Sequence, residues 1–541
     1  MNKLFVRLLQ ARGLNPSFLS PKYEELANPF TLPDMDKAID RIKKAITDQE
    51  KILIYGDYDV DGVTSSTLME ETLELAGIKP DRITIMLPDR FADGYGMSPK
   101  LINQAKKQGA KLVITVDCGS RNHAIIDELN HEHIDTIVTD HHEATDDLPE
   151  AVAIINPHRK DHPTEELKNL AGVGVAFKLA QALVVKNLIP AGQEKWLLDL
   201  VLLGTICDSM LLTGENRILG YYGLKVLAKT RRPGLRELMT RAGVKTLNSE
   251  SIGFQLGPRL NAAGRLESAT LSLNLLRART PLEAAPLADQ LEQLNKKRKS
   301  EQNFATKEIK ERSVSDDPVI IEAGKWHEGI IGIVAGRLVE DYKRPTFVLT
   351  DTGNNIYKGS GRSFGDFSLA DALDHVKDII ISGGGHAGAA GVKIDGQNLY
   401  QFRERINDYY RSLGLTDQEK YFNITADLDV PDFSDLTLDF LSDLHTLEPF
   451  GPGNDEPIFR LKDVQLINVT RMGAERNHLR LDLRDRNGKY FKLVAFYAPE
   501  EWLNLDPQFD RIEPLVKLTE NDFNGVKSVE ARLLELCKID Q

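Results

Sequence analysis

The sequence predicts an α/β protein: two α/β lobes joined by a long helix, followed by a small C-terminal β-barrel of the OB type. Three observations carry this. From about residue 46 to 157, short apolar runs alternate with helical periodicity, the mark of βαβ units and a parallel sheet. Residues Pro281 to Ser313 form one long, mostly polar helical stretch. Beyond Tyr421 the pattern changes to short strands and turns.

In order, strands are expected at Lys51–Tyr55, Arg82–Leu87, Lys111–Val116, Asp135–Thr139 and Ala151–Ile155, with helices such as Thr64–Leu75 and Pro99–Lys107 between them. From Ala171 the pattern is helical, through Ala176–Lys186 and Lys195–Thr205. The long stretch carries one thin apolar stripe, Leu287, Leu291 and Leu294, as a strut between domains would. Its Lys296-Lys297-Arg298-Lys299 run is either a solvated face or a nucleic-acid contact. A second α/β unit has strands Val319–Glu322 and Thr346–Leu349 around helix Ile330–Glu340, and closes on the glycine-rich run Gly383–Gly391. Alternation in His478–Leu483 and Tyr490–Phe496 around Asn487-Gly488 predicts a hairpin. The expected division is 1–45 packing on the first lobe, 46–280 the first lobe, 281–317 connecting helix, 318–415 the second lobe and 416–541 barrel.

Composition narrows the class. The 41% apolar content of these 541 residues fits folded cores, and no apolar run is long enough to span a membrane. Arg7 and Arg12 interrupt the N-terminal apolar stretch, so a signal peptide is not expected. Cys118, Cys207 and Cys537 give neither a disulfide framework nor a zinc pattern, and a cytoplasmic protein is expected. A net charge of −13 argues against a general duplex binder. It leaves single-strand processing open, because a local basic lining is enough to grip a strand.

The chemistry lies at the ends of the first-lobe strands. The first run leads into Asp57-Tyr-Asp59-Val-Asp61-Gly62, the second into Asp117, and the third into Asp140-His141-His142. Ligands of open α/β sheets bind beyond such carboxyl ends, so these groups should share one rim, and that much negative charge requires cations. Asp61 can also accept from helix N–H groups. A calcium loop would need a glutamate eleven residues after Asp57, where Leu68 stands. Adjacent histidines in extended chain point to opposite sides, so one suits metal and the other substrate phosphate or the orienting of a ligand. Asp208, ending an apolar helix, opposes the helix dipole and suits a ligand role. The bland readings are a helix cap for Asp117, a solvated helix terminus for Asp208 and a surface pair for the histidines. A carboxylate-rich set favours Mn²⁺ or Mg²⁺, and two ions sharing Asp117 would activate water and stabilise the leaving oxygen. Arg259, Asn261 and Arg265 (in Pro258–Leu266), and Ser360 and Arg362 with His386, are candidate phosphate contacts; core salt bridges are the alternative for the arginines.

In the order of these motifs, with Asp208 followed by Glu215-Asn-Arg217, then Trp326-His-Glu-Gly and Leu447-Glu-Pro-Phe-Gly-Pro-Gly-Asn454, the chain resembles the DHH phosphoesterase family, and within it the bacterial single-strand-specific exonucleases. The resemblance implies a DHH domain, a DHH-associated domain and an OB domain, and a 5′→3′ exonuclease releasing 5′-mononucleotides in DNA repair and recombination. It implies two Mn²⁺ or Mg²⁺ ions held by Asp57 or Asp59, Asp61, Asp117, His141 and Asp208. Catalytic roles would fall to Asp140, His142 and His386, the two histidines contacting the scissile phosphate. Ser360 and Arg362, with Arg90, would hold the terminal 5′-phosphate of single-stranded DNA. A monomer is expected, with single-strand-binding protein and a RecQ-type helicase as partners and no membrane association. Tyr95, Phe364 and Phe367 are candidate base-stacking platforms, with core packing as the alternative. Competing readings are a phosphodiesterase for oligoribonucleotides or cyclic dinucleotides, and an inactive single-strand-binding scaffold. Residues 421–541 argue against the first, the intact acid set against the second.

Overall fold

A computed structural model describes residues 2–94, 96–312, 314–415, 421, 424–507, 512–523 and 525–538. Five parallel strands, β1 (Ile52–Tyr55), β2 (Ile83–Met86), β3 (Leu112–Val116), β4 (Asp135–Thr139) and β5 (Ala153–Ile155), form the first sheet in the order β2-β1-β3-β4-β5. β1, β3 and β5 are buried throughout, which is why they read as unbroken apolar runs. The winding reverses between β1 and β3, and such a switch point opens a crevice at the carboxyl ends. Tyr55 lies beside Thr115, so the two strands deliver their aspartates to neighbouring positions.

Helix Val60–Leu75 packs against helices Gly172–Val185 and Leu198–Cys207 and is buried on nearly every side. Its polar residues survive there because they bond to their own helix: Thr64 Oγ1 donates to the Val60 carbonyl (2.7 Å), Ser66 Oγ to Gly62 (2.7 Å) and Thr67 Oγ1 to Val63 (2.9 Å). The 31-residue helix Pro281–Glu311 leads to the second lobe, and Thr280 caps its N-terminus with Pro281 in the first turn.

The second sheet contains β6 (Ile320–Gly324), β7 (Thr346–Asp351), β8 (Ile356–Arg362), β9 (Ser382–Gly385) and β10 (Ala389–Asp395), ordered β6-β7-β8-β10-β9. The glycine-rich run is therefore a β9–β10 hairpin, in which Gly391 pairs with Gly384, and the other edge of β10 pairs with β8, Ala389 with Arg362 and Gly391 with Ser360.

The C-terminal sheet contains β11 (Leu428–Val430), β12 (Phe459–Leu461), β13 (Gln465–Met472), β14 (His478–Arg484), β15 (Tyr490–Ala495), β16 (Ile512–Phe523) and β17 (Val526–Lys538), ordered β11-β12-β16-β17-β15-β14-β13. The Asn-Gly hairpin is present as β14–β15. Among the described residues no pairing joins β13 to β11, so this OB-type sheet is not closed into a barrel.

The N-terminal segment is divided, contrary to expectation. Leu4, Phe5, Leu8 and Leu9 of helix Lys3–Ala11 lie in the core of the C-terminal sheet with Phe433, Phe440 and Phe459, and Arg12 pairs with Asp427 at 2.8 Å. From Tyr23 onward the segment packs on the first-lobe core, through Tyr23, Leu26, Ala27 and Phe30 and then the buried Leu32 and Met35. An apolar helix face announces burial but does not name its partner. Among the described residues, no helix is long and apolar enough to cross a membrane.

Candidate metal centre

After β1 the chain turns sharply over Gly62, where a Cβ would lie 2.4 Å from the Asp57 carbonyl oxygen. Asp59 is the helix cap, accepting the Gly62 N–H at 3.0 Å. Asp61 accepts from helix N–H groups, as expected, and the helix is a neighbouring one: its donors are Gly172 N (2.6 Å) and Val173 N (3.0 Å). After β3, Asp117 takes a left-handed backbone with φ 60°, uncommon for a non-glycine residue, and its side chain packs tightly against Gly172. After β4, Asp140 is buried and accepts from the N–H groups of Ser120 (3.0 Å), His141 (2.8 Å) and His142 (3.1 Å), and pairs with His142 Nδ1 at 2.8 Å. Asp208 terminates helix Leu198–Cys207.

These groups converge. Donor atoms of Asp57, Asp59 and Asp117 lie within 4.8 Å of one another, as do those of Asp61, His141 and Asp208, and those of Asp117, His141 and His142. His141 Nε2 is 3.1 Å from Asp117 Oδ1, 3.6 Å from Asp208 Oδ2 and 3.8 Å from Asp61 Oδ2. The two histidine rings do not diverge as expected: their centroids are 4.5 Å apart, because both follow the end of β4 and are not part of an extended strand.

The electrostatics are those of a site with too much of one charge. Burial and the neighbouring Asp59 push Asp57 up to about 7, and the same two causes push Asp208 up to about 7. Burial, then the surrounding carboxylates, push Asp61 and Asp117 well above the usual range. Burial and the charge of His142 lower His141 to about 4, which leaves its imidazole neutral. Burial opposes the charge on His142, but the Asp140 hydrogen bond and charge outweigh it and raise the imidazole to about 9. Burial would likewise raise Asp140, but His142 outweighs it and holds the carboxyl below its ordinary value. Asp117 Oδ1 is buried without a hydrogen bond although His141 Nε2 stands beside it. Two lone-pair donors facing each other in this way fit a shared cation, and carboxylate with imidazole is a donor set for Mn²⁺ or Mg²⁺.

A second like-charged cluster adjoins the first. Burial and the charges of Arg90, Arg298 and Arg362 lower Arg265 to about 9, and burial and Arg90 lower Arg362. Arg362 Nη1 donates to Ser360 Oγ (3.1 Å) and the Gly361 carbonyl (2.7 Å). Gly332, at the start of helix Ile331–Tyr342, lies so close that a Cβ would be 3.0 Å from Ser360 Oγ and 3.1 Å from Arg362 Nη2. Arg90 stands over the Tyr58 ring, 5.0 Å from its centroid.

Other candidates fall elsewhere. Arg259 pairs with Glu292 at 2.6 Å and donates to the Gln255 carbonyl, so it ties its helix to the connecting helix, the core-salt-bridge alternative. Asn261 is half-buried in helix Gly257–Leu266, and among the described residues no hydrogen bond joins it to either cluster. His386 is exposed at the β9–β10 turn, its N–H bonded to the Ala389 carbonyl. Phe367 is 1% exposed within the second-lobe core, so it is no stacking platform. Phe364 meets Tyr421 edge-on, and Tyr95 lies outside the described residues. The basic run splits: Arg298 turns inward onto Asn295 and Gln302, while its lysines stay in solvent.

Sequence reasoning missed the supports. Ser120 holds Asp140, and Asn156 Nδ2 donates both to Ser120 Oγ (2.8 Å) and to the His142 carbonyl (2.9 Å). The one available signal for the Asp61 amides was Gly172-Val173-Gly174 opening a helix. Arg217 bonds the carbonyls of Phe18, Thr446, Leu447 and Glu448, which joins the first lobe to the approach to the C-terminal sheet.

Residues 51–205 match the N-terminal domain of the DHH family, 316–412 the DHHA1 domain and 427–535 the RecJ OB domain. The chain is 36% identical over 539 residues to the single-stranded-DNA-specific exonuclease RecJ of Bacillus subtilis, covering 97% of this chain and 66% of that protein, so it spans about two thirds of that relative's length. It is 34% identical to the RecJ of Dickeya dadantii, covering 97% of this chain and 94% of that one. A crystal structure of Thermus thermophilus RecJ in complex with Mn²⁺ superposes with a TM-score of 0.86 at 28% identity, over all of this chain and 76% of that one. A manganese-bound exonuclease RecJ gives 0.63 at 30% identity, over 72% of this chain and 97% of that one. With the three domains in the same order and relatives aligned almost end to end, this chain belongs to the RecJ family.

Proposed function

We propose that this protein is a divalent-metal-dependent, single-stranded-DNA-specific 5′→3′ exonuclease that releases 5′-mononucleotides. The observation that carries this is the meeting of two three-donor groups at Asp117 and His141, beside a cluster of mutually repelling arginines. Related RecJ proteins crystallised with Mn²⁺ and Mg²⁺ support the choice of ion.

Asp57, Asp59 and Asp117 would hold one ion, and Asp61, His141 and Asp208 the other. When bound, such a pair supplies a hydroxide-like nucleophile at neutral pH and neutralises charge on the phosphate. The protein's own contributions are orientation and charge. The Gly172 and Val173 amides fix Asp61. Burial keeps His141 neutral, so its Nε2 lone pair is available near pH 7. His142 is cationic there, with Nδ1 on Asp140, so Nε2–H is the donor for a phosphoryl oxygen. Asp140 acts as a positioning residue. His386 would reach the scissile phosphate from the second-lobe hairpin.

Arg90, Arg265 and Arg362 with Ser360 would take the terminal 5′-phosphate, whose charge relieves their mutual repulsion. A terminus held at fixed distance from the metals permits cleavage only near that end, which gives the 5′→3′ polarity. We assign 46–280 to catalysis, 318–415 to holding the terminus and 416–541 to gripping the strand. The reading includes a cytoplasmic monomer that works in DNA repair and recombination with single-strand-binding protein and a RecQ-type helicase; the family resemblance supports that part.

The test is hydrolysis of 5′- and 3′-labelled single-stranded DNA, side by side with RNA and duplex, in Mn²⁺. Labelled mononucleotide should appear first from the 5′ end of single-stranded DNA. Release from the 3′ end, or equal attack on duplex, would overturn the reading.

A further inference from the structure

We infer that Phe254 stacks against a base of the bound strand just downstream of the scissile phosphate, an inference that rests on the exonuclease reading. Phe254 is 77% exposed. An isolated exposed apolar side chain needs no explanation, but three features set this one apart. The backbone of Ile252–Leu256 is a π-helical turn, a form often found at functional sites. Ile252 and Leu256, four residues apart, are fully buried and anchor the turn, which leaves Phe254 on its outer side.

The turn also lies against the metal centre. It packs on helix Leu198–Cys207, whose end carries Asp208. A Cβ at Gly253 would lie 3.7 Å from Ile206 Cγ2, and one at Gly257 would lie 2.6 Å from Cys207 Sγ. The helix that follows carries Arg265.

Just before the turn, Ser249 ties the chain to the approach to the C-terminal sheet. Ser249 Oγ donates to Glu448 Oε2 at 3.0 Å and accepts the Phe450 N–H at 2.9 Å. The segment that carries Phe254 is therefore bracketed by the helix end bearing Asp208 and by the residues that lead to the OB-type sheet. A strand with its 5′ end among the arginines and its body on that sheet has to cross this segment. An aromatic face there holds any base, because every base offers a π-face, so it provides grip without sequence preference.

The experiment compares the full-length wild type with F254A, F254L and F254W on 5′-phosphorylated single-stranded DNA in Mn²⁺. The strand carries 2-aminopurine at successive positions, with phosphorothioate linkages at the 5′ end for the binding arm. Loss of one stacked base should raise KM about five- to hundred-fold in F254A, with a smaller change in kcat. Tryptophan should restore KM and leucine should not. Quenching of 2-aminopurine at one position should vanish in F254A and F254L and return in F254W. A wild-type KM in F254A, or rescue by leucine equal to that by tryptophan, would overturn the inference. Absence of 5′-end hydrolysis by the wild type would instead refute the exonuclease reading itself.

Discussion

The carboxylate cluster and the arginine cluster are neighbours built in opposite ways. The acids come from consecutive strand ends of one sheet and one adjoining helix end, so a single lobe assembles them. The arginines come from three separate pieces: Arg90 after β2, Arg265 near the end of helix Gly257–Leu266, and Arg362 at the end of β8. Their assembly requires the second lobe to dock closely on the first. At Gly329 that approach is so tight that a Cβ would sit 1.8 Å from the Arg265 carbonyl oxygen. Tyr58 lies between the clusters, its ring under Arg90 and its carbonyl against Gly264. On the proposed reading, the metal centre would be a property of one lobe, whereas the choice of strand end would be a property of two.

The sharpest way to break this contrast is Asp117→Ala. It removes the donor shared by two of the three groups, and nucleotide release should fall about 10³-fold or more. A loss under about tenfold in initial rate would contradict the assignment. Asp140→Asn should act less severely, lowering the rate about 10–100-fold, because the acid orients His142 and lies in none of the donor groups. In that variant His142 should titrate below its present value of about 9, since the Asp140 bond and charge sustain it, and NMR titration of the ring would show this.

The arginine side should respond differently. Arg362→Ala should cost about tenfold to a hundredfold on 5′-phosphorylated strands and little on 5′-hydroxyl strands. Gly329→Ala, which forces the lobes apart, should erode the same preference while Mn²⁺ still binds, as calorimetry would report. Equal loss on both substrates would remove the distinction between the clusters.

The smallest effect is on stability. The folded pKa values of Asp57 and Asp208, about 7, lie above those of unfolded carboxylates. Their unfavourable ionisation therefore destabilises the metal-free fold as pH rises from about 4 through 7, with the folded state binding more protons in that window. Metal-free protein should melt a few degrees lower at pH 8 than at pH 6, and Mn²⁺ should raise the melting temperature more at pH 8. His142, raised from 6.5 to about 9, contributes stability that is fully present below 6.5 and is lost as pH rises through 9, so it adds to the lower melting temperature at pH 8.

The same contrast explains what could be read from the sequence. Asp57, Asp117 and Asp140 were legible because buried parallel strands are unbroken apolar runs, and the residue after such a run lies on a predictable rim. Asp61 was legible as a ligand candidate but its partners were not, since amides of Gly172 and Val173 lie over a hundred residues away and carry no side-chain signal. Arg259 and Arg265, six residues apart on one helix, looked alike, yet one meets Glu292 and the other faces its own kind. That difference is set by which distant segments pack against each end of the helix, which local pattern does not encode. Helix Lys3–Ala11 shows the same limit: its apolar residues were evident, its host core was not.

The most direct test is a Mn²⁺ titration of the full-length protein at pH 8, read by calorimetry against Asp117→Ala. The account predicts two ions bound per wild-type chain and at least one lost in the variant. A wild type that binds no Mn²⁺, or a variant that binds it as the wild type does, would contradict it.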